Sequence, residues 1–395
     1  MRITKRAAAI SPSLTLEITA KAKRMKQEGI SVVSFGAGEP DFNTPEPVVA
    51  AAKAALDAGF TKYTPASGTD ELKRAIVEKL QRENGLTYDV KQIVVSNGAK
   101  HSLYNAMQAI VEDGDEVILP SPHWLTYPEL VMLCGGKVVY VKTKAENGFK
   151  MTAEEFRAAI TPKTKALILN SPHNPTGAVY TKEELYAIAD IAVEKGIFVI
   201  SDEIYEKLIY DGEHVSIATH SAAMQELTVL VNGMSKAFAM TGWRIGYIAA
   251  PLDVAKAVSG IQSHETSNPN SIAQAASVAA LKTDDGSLRK MLNAFSERRK
   301  FMVERIGAID GLSFIEPKGA FYIMLNVSSV YGKQYHGKTI DGSISFANAI
   351  LECGVAVIPG AAFGADDYVR LSYAIHTDEI KEGMDRIEKF IKEVK

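Results

Sequence analysis

Two cysteines in 395 residues are too few for a disulfide framework, and Cys134 and Cys353 lack metal-ligand spacing. A bond between them is conceivable, but isolated reduced thiols are the expectation. An excess of one charge is missing too: 44 Lys and Arg stand against 47 Asp and Glu, a formal net charge of -3. That balance leaves no basic footprint for nucleic acid. No apolar run is long enough to span a bilayer, and the basic start Met1 to Ile10 has no long apolar stretch behind it. Neither a membrane partner nor a secretory signal is therefore expected, and the cytoplasm is the expected compartment. Internal repeats and low-complexity tracts are absent. A dinucleotide fingerprint is absent as well, because Gly36-Ala37-Gly38 is followed by Asp41 where a third glycine is needed. What is there is ordinary for a soluble globular enzyme, 46% hydrophobic and 23% charged. The length suggests one large domain and a smaller one.

Short, β-branched, almost continuously apolar runs predict strands over Ile93–Ser96, Val117–Leu119, Val138–Val141, Ala166–Leu169, Phe198–Ser201, Val229–Val231 and Ile245–Ala249. Helical patterns at Lys100–Ile110, Ala153–Ile160 and Lys182–Glu194 alternate with them. Thr181 before Lys182-Glu183-Glu184 reads as a helix cap with acids in the first turn. The alternation predicts an α/β fold with a mainly parallel sheet. The last third differs. A charged helix near Leu288–Gly307, short strands near Phe321–Leu325, Val355–Ile358 and Val369–Ser372, and an amphipathic helix Asp378–Glu393 predict a smaller α+β domain. The expected division is residues 1–44 docking on the small domain, 45–285 as the large domain, and 286–395 as the small one.

Several polar residues sit at the ends of these runs. Lys236 lies in Ser235-Lys236-Ala237-Phe238-Ala239-Met240-Thr241-Gly242-Trp243-Arg244. An amine there can form an imine with an aldehyde once its pKa is depressed. Asp202 follows Ile197-Phe198-Val199-Ile200-Ser201, where a carboxylate points into the crevice of a parallel sheet; otherwise it is a capping or loop aspartate. Paired with a pyridine nitrogen, it would keep the ring cationic and electron-withdrawing. Tyr205 and Asn174 can bond a ring oxygen, and Asn174-Pro175 also suits a turn. Gly98-Ala99 closes a strand and opens a helix, a favourable place for phosphate, and Arg244 can add a charge-assisted fork. Trp124 either stacks on a cofactor ring or fills the core. Arg370, inside Tyr368-Val369-Arg370-Leu371-Ser372, is costly to bury unpaired. It grips either a substrate carboxylate or an internal acid. His123 and His173 border the site without an assigned role.

Taken together, these residues resemble the class I aminotransferases, fold type I of the pyridoxal-phosphate enzymes. The resemblance runs through Gly233 to Gly246, Gly36-Ala37-Gly38-Glu39-Pro40-Asp41-Phe42, Tyr63, Gly98-Ala99-Lys100, Trp124, Asn174-Pro175-Thr176-Gly177, Asp202-Glu203-Ile204-Tyr205 and Arg370. It looks closest to the bacterial aspartate branch of 1β type. It implies a large domain with a mainly parallel seven-stranded sheet and pyridoxal 5′-phosphate bound through Lys236. It further implies Asp202 on the ring nitrogen, Asn174 and Tyr205 on the ring oxygen, and Trp124 on the ring face. Gly98, Ala99 and Arg244 would hold the phosphate. Tyr63 would reach it across the interface of a homodimer with shared sites. Arg370, Gly38 and Asn174 would bind the substrate α-carboxylate, and Lys100, Ser13 and Thr15 the distal one.

The resemblance implies ping-pong transamination between L-aspartate and 2-oxoglutarate, with Lys236 as general base and acid and Asp202 and Tyr205 assisting. The nearest alternatives are an aminotransferase of broader specificity (prephenate, aromatic or kynurenine) and a carbon–sulfur lyase. A non-enzymatic effector domain is disfavoured because no basic or helix-turn-helix extension is visible. A nicotinamide dehydrogenase is disfavoured by the broken glycine pattern.

Overall fold

The computed structural model describes residues 3–10 and 14–395, so Ser13 lies outside the described residues. Its centre is a seven-stranded sheet in the spatial order Ile93–Ser96, Gly246–Ala249, Thr228–Gly233, Phe198–Asp202, Thr164–Asn170, Glu116–Ser121, Lys137–Lys142. All seven expected strands are present. Six point the same way, and Gly246–Ala249 runs antiparallel to both of its neighbours.

The continuous apolar runs are explained by burial on two faces. Ala166 and Ile168 enter one core with Ile200, Val229 and Val231. The alternate residues Leu167, Leu169 and Val199 enter another with Leu185, Ile188 and Ala192 of the helix Lys182–Lys195. That helix starts as expected. The Thr181 hydroxyl accepts from Glu184 N–H, and the Glu184 carboxylate accepts from Thr181 N–H at 2.8 Å.

A second sheet is antiparallel, ordered Ile358–Pro359, Tyr368–Ser372, Tyr322–Asn326, Ser313–Phe314. The helices Ser287–Gly307 and Thr377–Glu393 contribute to its core. In the latter, Ile380, Met384, Ile387 and Phe390 form one buried stripe. One sequence expectation needs correction here. The run Val355–Ile358 is not a single strand. Val355–Ala356 pairs in parallel with Val33–Ser34, while Ile358–Pro359 joins Tyr368–Ser372. The incoming N-terminal segment supplies a second partner, so one apolar run serves two sheets. Further along that segment, Asp41 receives both guanidinium nitrogens of Arg298 at 2.7 and 2.9 Å, and Phe42 meets Phe295 edge to face.

Candidate active site

Asp202 ends its strand directly opposite Asn170, the last residue of the neighbouring parallel strand. Both therefore stand at the carboxyl edge, where open α/β sheets bind ligands. The Asn170 amide donates to Asp202 O at 2.9 Å, and its Oδ1 accepts from Asn174 N–H at 2.9 Å. Asp202 is buried. Its Oδ2 accepts from Tyr127 Oη–H at 2.8 Å and its Oδ1 from Ile204 N–H at 3.2 Å. Burial pushes this carboxyl up to about 6, with Glu203 adding to the push, although both donors and Lys236 oppose it.

Lys236 lies in the turn after Thr228–Gly233. Its amine donates to Gly38 O and stands 5.7 Å from the ring centres of Tyr205 and Phe321. Burial lowers it to about 8; Arg370 and Arg244 add to the fall and Glu39 opposes it. At neutral pH this raises the free-amine fraction roughly two- to three-hundredfold over an ordinary lysine.

Arg370 is 2% exposed. Nη1 donates to Asn174 Oδ1 at 2.9 Å, and Nη2 approaches Gly36 O at 3.5 Å. The guanidinium lies 4.2 Å from the Tyr322 ring centre and 5.0 Å from that of Phe363. Its Nε has no partner, and among the described residues no carboxylate lies within ion-pair distance of it. The internal salt bridge, one of the two sequence readings, is not formed. Tyr205, also buried, meets Tyr322 Oη at 3.0 Å, and burial holds its phenol far above the usual range.

The helix Ala99–Ile110 begins at Gly98, whose φ is +89°. A Cβ there would fall 2.4 Å from Arg244 Nη2, and one on Gly246 would fall 2.2 Å from Ala99 N. These glycines let the arginine and the strand Gly246–Ala249 close onto the helix N-terminus. The first N–H groups of the helix are unused within it, and Arg244 sets a cation beside them: an anion cradle. Arg244 is steadied by Thr241 O at 2.9 Å. Trp124 packs edge to face on Tyr127 at 5.3 Å. Lys100 Nζ lies 4.9 Å from the indole centre.

Lys236, Asp202, Tyr205, Asn174, Arg370 and Gly38 are thus joined by contacts into one cluster, with the Gly98–Ala99–Arg244 cradle and Trp124 beside it. Thr15 is half-buried in the helix Leu14–Gln27, and its hydroxyl is buried without a partner. Tyr63 is 91% exposed and makes no hydrogen bond or ring contact among the described residues. His173 is pushed down to about 3 by burial, and His123 is lowered by the same cause, so both are neutral imidazoles. Tyr127, Tyr322 and Asn170 were not singled out from the sequence, and Glu39 stood there only within a motif run, without a role. Glu39 accepts from Thr241 Oγ–H at 2.6 Å, tying the Gly38 segment to the Lys236 turn. Tyr127, three residues after Trp124, carried a usable spacing signal; Tyr322 carried none. A cavity of about 690 Å³, lined by Asn232, Met234, Ala237, Phe238 and Leu292, does not include Asp202, Lys236 or Arg370. The convergent chemistry, rather than the volume, locates the site.

Residues 30–387 match the family described as aminotransferase class I and II. An aspartate aminotransferase of Bacillus sp. strain YM-2 is 47% identical over 392 residues, covering 99% of each chain. The crystal structure of the Rhizobium meliloti aspartate aminotransferase superposes with a TM-score of 0.97 at 44% identity, covering 100% of both chains. The Thermus thermophilus aspartate aminotransferase with maleate gives 0.94 at 44% identity, covering 99% of this chain and 100% of that one.

Proposed function

The chain belongs to the class I and II aminotransferases, and on that premise we propose that it moves an amino group between L-aspartate and 2-oxoglutarate, giving oxaloacetate and L-glutamate, with pyridoxal 5′-phosphate as cofactor. The donor set fits that group. A lysine amine near pKa 8 suits an aldehyde, a buried carboxylate suits a ring nitrogen, and the Gly98 cradle with Arg244 suits a phosphate. Lys236 would hold the aldehyde carbon, Asp202 the ring nitrogen, Asn174 and Tyr205 the ring oxygen, and Trp124 the ring face. Gly98, Ala99 and Arg244 would hold the phosphate, joined by Tyr63 of a second copy in a homodimer. When bound, the cofactor supplies a cationic ring that withdraws electrons from the amino acid's α-carbon.

The chain's own residues then bind, orient and move a proton. Arg370, already stacked and aimed by Tyr322, forks onto the α-carboxylate, and Asn174 and Gly38 complete that grip. The fork fixes which α-substituent faces Lys236. Gly38 O, accepting one N–H, orders the Lys236 amine so that Nζ takes the α-proton as base and later returns it as acid. Lys100, with Thr15 and Ser13, meets the distal carboxylate. Binding and chemistry divide between residues 45–285 and a smaller body of 286–395 carrying 1–44.

Arg370 is the observation that carries this reading: a buried guanidinium with neither an acid partner nor an Nε acceptor waits for a carboxylate. The test is to reduce the purified holoprotein with borohydride and map the adduct by mass spectrometry, alongside oxo-acid release from a panel of amino acids. The expected results are a cofactor on the peptide holding Met234 and Ala237 and fastest release from aspartate. Fully active protein with that peptide unmodified would overturn the mechanism, and preference for an aromatic donor would overturn the substrate.

A further inference from the structure

Immediately past Asp202 the chain buries two more acids. Glu203 is 1% exposed. Its Oε1 accepts from Ser201 Oγ–H at 2.9 Å and Ser216 Oγ–H at 2.6 Å, and its Oε2 lies 2.8 Å from His214 Nε2. Glu206 pairs with Lys79 and accepts from the Asn84 amide at 2.9 Å. The Lys79 and His214 side chains are only 3% and 10% exposed. Ligand-capable atoms of Glu203, Glu206 and His214 all lie within 4.8 Å of one another. Lys79 already supplies one cation to this group.

Two buried carboxylates and one ammonium leave a net negative charge that is expensive to bury. A protonated imidazole at His214 balances it. Burial alone would push His214 down, but Glu203, with Glu206 behind it, outweighs burial and raises it. Burial would likewise raise Glu206, yet Lys79 and His214 bring it down to about 2. Other titratable groups near the quartet include Tyr88, Tyr247, Asp202 itself and Glu83, which is shared between Lys79 at 3.7 Å and Lys207 at 2.6 Å. Burial raises both phenols, so they stay neutral. The quartet acts on the active site through the peptide. Glu203 is the residue after Asp202, its N–H is fixed on Val231 O at 2.9 Å, and its charge pushes the Asp202 proton affinity upward.

We propose that His214 is a positioning residue for Asp202: as an imidazolium it neutralises Glu203 and so keeps the neighbouring carboxylate ionised for the cofactor's ring nitrogen. This rests on the cofactor reading above. The experiment compares wild-type, His214→Gln and His214→Lys holoproteins across pH, and follows the His214 ring by NMR in the wild type. His214→Gln lowers kcat for aspartate roughly twofold at pH 7 and close to tenfold at pH 5, the loss expected when the Asp202 midpoint rises one unit from about 6, with KM changed less than about twofold. His214→Lys, a permanent cation, restores kcat at both pH values. The ring in wild type titrates above about 6.5, the ordinary histidine value. A midpoint below that value, or an unchanged kcat in His214→Gln, overturns the proposal even with the cofactor found on Lys236. Absence of the adduct from Lys236 in active wild-type protein overturns the cofactor reading itself, and the role at Asp202 with it. The NMR measurement needs no variant to fold.

Discussion

Arg370 is a buried cation that a carboxylate ligand would neutralise. Its stacking on Tyr322 and Phe363 uses the planar guanidinium, which lysine cannot imitate. Arg370→Lys should raise the Michaelis constant for aspartate roughly tenfold to a hundredfold, since a charge-assisted bond is worth about 1.5–3 kcal/mol. Steady-state kinetics check it, and an unchanged constant would remove Arg370 from the carboxylate grip. Tyr127 acts on Asp202 through a hydrogen bond to the ionised form. Tyr127→Phe should push Asp202 above about 6. In cofactor-free protein, Asp202 binds its proton more tightly folded than unfolded. Its contribution therefore favours folding below about pH 4 and is lost as pH rises through about 6. Tyr127→Phe moves the upper end of that loss to higher pH. Denaturation midpoints measured across pH 4–8 should show the displacement, and superimposable curves would dismiss the bond as unimportant.

At the scale of elements, the site is made by endings. Strands deliver Asn170, Asp202 and the Lys236 turn at one edge of the sheet, and a helix begins where the cradle is needed. Those endings were legible because a strand buried on both faces is an unbroken apolar run, and the first polar residue after it marks the edge. The direction of Gly246–Ala249 was not legible, because an antiparallel strand with two covered faces has the same composition as a parallel one. That strand approaches Ala99 so closely that only glycine fits at 246. Gly246→Ala should cost about 1–3 kcal/mol by overpacking and weaken cofactor binding at least about tenfold. Absorbance titration of the apoprotein with pyridoxal phosphate checks this. Full affinity would mean that the helix start does not hold the phosphate.

At the scale of the whole molecule, Tyr63 is the residue that one chain leaves unused, 91% exposed. The proposed homodimer with shared sites would give it a place at a partner's phosphate. Mixing two impaired variants, Tyr63→Ala and Lys236→Ala, tests the arrangement. Each hybrid dimer would hold one site with both residues intact, so activity should exceed that of either parent. No gain after subunit exchange would confine Tyr63 to its own chain. Ultracentrifugation should also find twice the 42.8 kDa chain mass.

The proposed chemical set could be drawn up without coordinates. Lysine, aspartate, asparagine and the glycine before a helix each follow an apolar run, and such runs are local signals that a linear chain displays. What joins them was not readable. Arg370 reaches Asn174 across 196 residues. Arg298 reaches Asp41 across 257, and one apolar run is divided between two sheets. Tyr322 orients Arg370 from a strand whose residues look like any other core. Spacing along the chain encodes helix and strand faces, because those repeat every few residues. Which distant faces meet, and which buried charges find or lack a partner, depends on packing the whole chain at once, and only the folded structure decides it.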